Sequence, residues 1–142
     1  MPKRIFAKSE LCTGCALCAS ACSVTKFGVC TPRKSGITIL RNPFERYEMQ
    51  LLCRQCDEPY CVQACISGAL CKDADTGVVS RDPDRCVGCW SCMMACPHGA
   101  IVPVAWEGKD HPISLKCDLC PGREMPACVA VCPTGALAYA EA

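Results

Sequence analysis

Sixteen of the eighteen cysteines in this 142-residue chain fall into four tight groups of four, and that grouping constrains the fold more than any apolar pattern does. The groups are Cys12, Cys15, Cys18 and Cys22; Cys53, Cys56, Cys61 and Cys65; Cys86, Cys89, Cys92 and Cys96; and Cys117, Cys120, Cys128 and Cys132. Each opens with C-x2-C and closes with C-x3-C. Only the gap between the second and third cysteine varies, at two, four, two and seven residues. Four thiols in so short a stretch read as ligands of a metal cluster.

Three readings compete for these thiols. Cysteine at about 13% of the chain is enough for a disulfide scaffold. However, Met1-Pro2-Lys3-Arg4-Ile5-Phe6 soon meets Lys8 and Glu10, so no apolar signal core follows and the expected location is the cytoplasm, where thiols stay reduced. Thiols separated by two residues are also poor disulfide partners, because the bond needs a particular distance and dihedral. Zinc uses C-x2-C as a half-site, but it draws two ligands from each of two separate knuckles. Here three thiolates arrive within seven residues, as in Cys12 to Cys18. They would crowd one small ion, whereas a cubane offers several iron corners spaced to receive them.

Iron–sulfur clusters are therefore the expected cofactor. The C-x2-C-x2-C-x3-C run of the first and third groups, with Pro97 after Cys96 and Pro133 after Cys132, resembles the bacterial ferredoxin signature. In that arrangement three cysteines of a run hold one cubane and the fourth reaches a neighbouring one. Gly14 and Gly88, between the first and second cysteines of their groups, are expected to let the backbone turn tightly and aim N–H groups at sulfur.

The side chains sum to a formal charge of +1, but each oxidised cubane with its four thiolates adds about −2, which brings a four-cluster protein to about −7. There is no basic patch of the kind a nucleic-acid binder needs. No run of eighteen apolar residues exists, so no membrane span is expected. With aromatics at only 6%, the clusters stand in for a core and the iron-free chain is expected to be largely unfolded.

An internal repeat follows three of the groups: Cys65-Ile66-Ser67-Gly68-Ala69-Leu70, Cys96-Pro97-His98-Gly99-Ala100-Ile101 and Cys132-Pro133-Thr134-Gly135-Ala136-Leu137. In each copy a glycine ends the turn and an apolar residue opens a strand. Hairpins are expected from Ala69 to Lys72 with Gly77 to Arg81, and from Ile101 to Trp106 with Pro112 to Lys116. A third is expected from Ile37 to Arg41 with Tyr47 to Leu52, and terminal strands at Lys3 to Lys8 and Leu137 to Ala140. Helices should be short and lie beside the third and fourth cysteines, and the residues after Cys22 read as a short helix closed by Gly28. The fold class is α+β: two tandem ferredoxin-like units with interposed hairpins in one compact body over residues 1–142, with no separable second domain.

The whole pattern, from about residue 3 to residue 140, resembles the four-cluster ferredoxin-like electron-transfer subunits of multi-subunit oxidoreductases. Leu52-Cys53-Arg54-Gln55-Cys56-Asp57-Glu58-Pro59-Tyr60-Cys61-Val62-Gln63-Ala64-Cys65 and Asp84-Arg85-Cys86-Val87-Gly88-Cys89-Trp90-Ser91-Cys92 with Cys96-Pro97 carry the likeness. Such subunits accompany molybdenum and tungsten pterin enzymes, including formate dehydrogenases, dimethyl sulfoxide reductases and aldehyde oxidoreductases, and also carbon monoxide dehydrogenases and hydrogenases. The resemblance implies four [4Fe–4S] clusters and pseudo-twofold symmetry, with group one pairing with four and group two with three. Cys12, Cys15, Cys18 and Cys132 would hold one cluster, and Cys117, Cys120, Cys128 and Cys22 its partner. Cys53, Cys56, Cys61 and Cys96 would hold a third, and Cys86, Cys89, Cys92 and Cys65 the fourth. Spacing alone also permits sequential pairing. Ile66 replaces the family's proline after Cys65, with little expected effect on ligation.

By the same resemblance the chain implies a minimal soluble subunit, itself without catalytic residues, that passes electrons between a catalytic subunit and a second redox partner. A tungsten or molybdenum aldehyde oxidoreductase is the foremost partner, with carbon monoxide dehydrogenase, formate dehydrogenase or hydrogenase as alternatives. A free, diffusing polyferredoxin and an oligomer with clusters in contact between copies are further readings.

Outside the four groups, Cys30 and Cys71 read as small buried hydrophobes, with a reactive or ligating thiol as the alternative. Arg54, Arg85 and Lys116 adjoin ligand cysteines and either raise a nearby potential or are ordinary solvated cations. His98 and His111 each lack a second free ligand and read as turn residues. Trp90 and Trp106, with Met93 and Met94, read as packing around clusters, with a docking patch as the alternative.

Overall fold

Alternating apolar residues between the cysteine groups make strands, and in three of the four groups the cysteine turn leaves room only for a short helix. The computed structural model describes residues 3–45 and 47–141. In chain order it contains β1 (Lys3–Ala7), α1 (Leu17–Phe27), β2 (Ile37–Asn42), β3 (Tyr47–Leu52), α2 (Tyr60–Ala64), β4 (Leu70–Lys72), β5 (Val79–Arg81), α3 (Ser91–Ala95), β6 (Val102–Val104), β7 (Ile113–Leu115), α4 (Ala127–Val131) and β8 (Leu137–Glu141). Two 3-10 turns lie at Ser9–Leu11 and Pro32–Lys34. This is the expected α+β arrangement of hairpins and short helices. No helix among the described residues is long and apolar enough to cross a membrane.

All strands pair antiparallel in twos: β2 with β3, β4 with β5, β6 with β7, and β1 with β8. The first three are the hairpins read from the sequence. Between β4 and β5 the Asp73 carboxylate accepts from the N–H groups of Asp75 at 2.8 Å and Thr76 at 3.2 Å, which closes the turn ahead of Gly77. The fourth ribbon joins distant segments, with Lys3 opposite Glu141 and Ala7 opposite Leu137.

A lone two-stranded ribbon is marginal in water, so each needs something packed on one face. Helix α1 packs on α4, and α2 on α3. Ile5, Ile37, Leu52, Leu119 and Leu137 form one buried cluster together with Cys18, Cys22 and Cys128. Ile113, Leu115, Val104 and Ala69 form a second around Cys86, and Leu70, Val79 and Ile101 a third around Cys92. None of the three is hydrocarbon alone.

One helix departs from expectation. Helix α1 runs eleven residues where α2, α3 and α4 run five. Gly28 does close it, at φ +71°, with its N–H on the Val24 carbonyl at 2.9 Å. The length difference has a local cause. Cys65, Cys96 and Cys132 leave their helices in extended backbone, with ψ of 109°, 116° and 113°. Pro97 and Pro133 impose that geometry on the residue before them, and Cys65 adopts it before Ile66 as well. Cys22 instead lies inside its helix, followed by the buried Ser23. That hydroxyl donates to the Ser20 carbonyl and accepts from the Thr31 N–H at 3.0 Å, anchoring the long connection that follows.

Candidate metal centres

Three cavities are each walled by four cysteines, three from one group and one from another. Cys12, Cys15 and Cys18 share theirs with Cys132. Cys53, Cys56 and Cys61 share theirs with Cys96, and Cys86, Cys89 and Cys92 share theirs with Cys65. The three are built alike, three thiols of one group facing one of another, so one kind of group suits all of them. The remaining four, Cys22, Cys117, Cys120 and Cys128, gather where α1 meets α4. Burial pushes the Cys128 thiol up to about 12, and the neighbouring Cys117, Cys22 and Cys120 sulfurs add to the rise.

The spread of the sulfurs separates one ion from a cluster. Among the described residues no three His, Cys, Asp or Glu side chains converge as the ligands of one metal ion would. Zinc needs all four sulfurs on one centre. A cubane takes one sulfur at each of four corners, and cavities walled by four separated thiols suit it.

The turn that presents each group is the same in all four. The residue before the second cysteine is left-handed: Gly14 at φ +72°, Gln55 at +48°, Gly88 at +73° and Leu119 at +64°. In three of the four that conformation points its N–H back at the first sulfur. Gln55 donates to Cys53 Sγ and Leu119 to Cys117 Sγ, both at 3.4 Å, and Gly88 donates to Cys86. At Gly88 no side chain fits, because a Cβ would lie 2.8 Å from the Pro112 carbonyl oxygen.

The internal repeat has a role in this chemistry. Partial burial alone would raise the Cys65 and Cys132 thiols, yet both lie below the usual range because donors outweigh it. Ser67 Oγ with the N–H groups of Leu70, Ala69 and Ser67 turn toward Cys65, and Thr134 Oγ1 with those of Leu137, Thr134 and Ala136 toward Cys132. The third residue of the repeat is thus a sulfur donor in two copies, a signal present in the sequence but not read there. Cys86 is lowered in the same way, with burial outweighed by the N–H groups of Ser114 and Gly88 and the Ser114 hydroxyl. Cys18 is pushed up to about 11, chiefly by burial.

Several residues outside the groups behave differently from one another. Cys30 and Cys71 are both exposed, which corrects the expectation of small buried hydrophobes. The alternation in β4 puts Leu70, not Cys71, on the inner face. Neither lines a four-cysteine cavity. Arg54 is exposed, and Arg85 is exposed and pairs with Asp82 at 3.6 Å. Lys116 is buried, at 4% exposure. His98 lines the Cys53 cavity, and His111 Nδ1 lies 2.7 Å from Asp110. Trp90 lines the Cys86 cavity, whereas Trp106 packs edge-on against Phe27 and under Arg81. Met93 and Met94 are exposed.

Residues 44–142 match a family model described as a 4Fe–4S dicluster domain, and residues 9–25 match one described as a 4Fe–4S binding domain. Two such domains and eighteen cysteines fit four [4Fe–4S] clusters. NADH-dependent phenylglyoxylate dehydrogenase subunit beta of Aromatoleum evansii is 38% identical over 130 residues, which is 90% of this chain and 28% of that protein. The polyferredoxin-like subunit of aliphatic sulfonate oxidoreductase from Pyrococcus furiosus is 35% identical over 128 residues, 90% of this chain and 70% of that one. In fold, a chain of the active site complex BamBC of benzoyl coenzyme A reductase aligns with a TM-score of 0.56 over 96% of this chain and 75% of its own, at 24% identity.

Proposed function

The chain belongs to the 4Fe–4S dicluster family of iron–sulfur electron-transfer subunits of oxidoreductase complexes, and we propose that it relays single electrons between one catalytic subunit and a second redox partner. The observation that carries this reading is the set of cavities each walled by cysteines of two groups. We assign Cys12, Cys15, Cys18 and Cys132 to one cluster and Cys22, Cys117, Cys120 and Cys128 to its partner. Cys53, Cys56, Cys61 and Cys96 hold the third, and Cys65, Cys86, Cys89 and Cys92 the fourth. On that assignment the single domain over 1–142 consists of two interleaved units, groups one and four and groups two and three.

The bound clusters supply one-electron redox chemistry. The protein's part is ligation, exclusion of water by the apolar residues around each set, and donation of N–H groups that offset sulfur charge. The substrate chemistry belongs to the partner. The sulfonate oxidoreductase relative, whose matching subunit is named polyferredoxin-like, supports the role of an oxidoreductase subunit, and a tungsten or molybdenum aldehyde oxidoreductase is our choice of partner. The same reading puts the chain in the cytoplasm, where its thiols stay reduced until loaded.

Anaerobic capture of the tagged protein from its native host, with iron, tungsten, molybdenum and nickel quantified, tests it. About sixteen irons per chain with a large tungsten- or molybdenum-containing subunit supports the proposal. Nickel in that subunit moves the partner to carbon monoxide dehydrogenase or hydrogenase. Sixteen irons with no stable partner overturns the subunit role in favour of a diffusing polyferredoxin.

A further inference from the structure

Between the second and fourth cysteine groups the chain places a cation sealed from water. Lys116 Nζ donates to the Val79 carbonyl at 2.6 Å and to the Cys117 carbonyl at 2.8 Å, and its side chain lines the cavity of Cys53, Cys56, Cys61 and Cys96. Gln55, 3% exposed, completes the same node. Its Nε2 donates to the Cys117 carbonyl at 2.9 Å, its Oε1 accepts from the Val79 N–H at 2.8 Å, and its backbone N–H points at Cys53 Sγ. Two side chains therefore tie a cysteine of one cavity to a cysteine of the set at the α1–α4 contact.

Burying an ammonium is unfavourable unless opposite charge offsets its lost hydration. The two carbonyls satisfy donors without neutralising the charge. The negative charge of the sulfur ligands on either side does neutralise it, and Lys116 is placed to act on both sets. Arg54 and Arg85, also adjacent to ligand cysteines, are exposed, so water and salt screen them.

We infer that Lys116, positioned by Gln55, sets the reduction potentials of two clusters together, the one at Cys53, Cys56, Cys61 and Cys96 and the one at Cys22, Cys117, Cys120 and Cys128. A fixed positive charge favours the reduced state at each, where one more negative charge resides, and so raises the two potentials together. The inference rests on the relay reading and its ligand assignment.

The test is an anaerobic redox titration of the iron-loaded full chain, followed by electron paramagnetic resonance, with iron counted beforehand. In Lys116→Gln the iron content is expected to hold. The reduced-to-oxidised ratio of two of the four clusters should fall about tenfold at fixed potential, which is about 59 mV for a one-electron couple. The other two should not move, and Lys116→Arg should restore wild-type values. Gln55→Glu, which sets a carboxylate beside the ammonium at unchanged size, should lower the same two, and it decides the matter where Lys116→Gln fails to keep its iron. Four unmoved potentials, or four that move alike, overturn this inference alone. A wild-type chain holding far fewer than about sixteen irons overturns the relay reading and this inference with it.

Discussion

Replacing Gly88 by alanine puts two penalties on one residue. Its φ of +73° is a conformation that an L side chain adopts at a cost of about 1 to 2 kcal/mol. The new Cβ would also lie 2.8 Å from the Pro112 carbonyl oxygen and 3.0 Å from Cδ2 of His111. That oxygen belongs to the backbone leading into β7 and cannot swing aside, and overpacking of this kind costs about 1 to 3 kcal/mol. The sum is about 2 to 5 kcal/mol, in a turn that aims an N–H at Cys86. Gly108 provides the control: its φ is +83°, but nothing lies within 4 Å of where a Cβ would sit. G108A is therefore expected to lose only the conformational part, about 1 to 2 kcal/mol, and to keep all its iron. G88A should unfold earlier in anaerobic denaturation and fall from about sixteen to about twelve irons per chain, one cubane's worth. If G88A kept its iron and unfolded together with G108A, the argument from space at this turn would be wrong.

Paired serine substitutions distinguish crossed from sequential ligation. With crossed ligation, Cys56→Ser and Cys96→Ser together disturb one cluster and leave about twelve irons, whereas Cys89→Ser and Cys96→Ser together disturb two and leave about eight; the reverse order would establish sequential pairing. The iron-free chain should show a pH dependence with a definite sign. Burial raises Cys18 to about 11 and Cys117 and Cys128 to about 12, against an ordinary value of 9.0, so any stability these protonated thiols lend is complete below pH 9 and lost as pH rises through 11 to 12. The structured fraction that the largely unfolded iron-free chain keeps under reductant should therefore shrink over that window in circular dichroism, and a fraction that grew with pH would contradict it. Replacing Ser67 and Thr134 by alanine should slow iron loading by removing a donor to Cys65 and one to Cys132, and loading curves indistinguishable from wild type would show those hydroxyls to be idle.

Sequence made the hairpins legible because their turns carry their own chemistry. The Asp73 side chain closes one turn, and Glu107-Gly108-Lys109-Asp110 forms another, with Gly108 at positive φ. Strand ends fell within a residue or two of the reading, since alternation stops where the cysteine turns begin. Helix α1 was underestimated because the stop that proline gives after Cys96 and Cys132 is absent after Cys22, and nothing local says how far back the helix starts. The left-handed turns at Gln55 and Leu119 were hidden for a different reason. Glycine advertises that conformation at Gly14 and Gly88, whereas a glutamine or leucine adopts it only because the surrounding ligation geometry demands it. Lys116 and Gln55 are likewise invisible as partners, being joined through Val79 and Cys117 across wide gaps in sequence. Cys71 was misread since three residues of strand are too few for alternation to say which face is inner.

The pairing of β1 with β8 bears on how a ribosome delivers this molecule. Strand β1 can find its partner only after residue 141 has been made, and α1 likewise waits for α4. The stretch from Cys53 to Lys116, by contrast, is contiguous and can organise while synthesis continues. Synthesis in this order lets the middle close before the flanks, so the thiols from Cys12 to Cys22 wait longest for their neighbours on α4 and need protection from oxidants for the longest time.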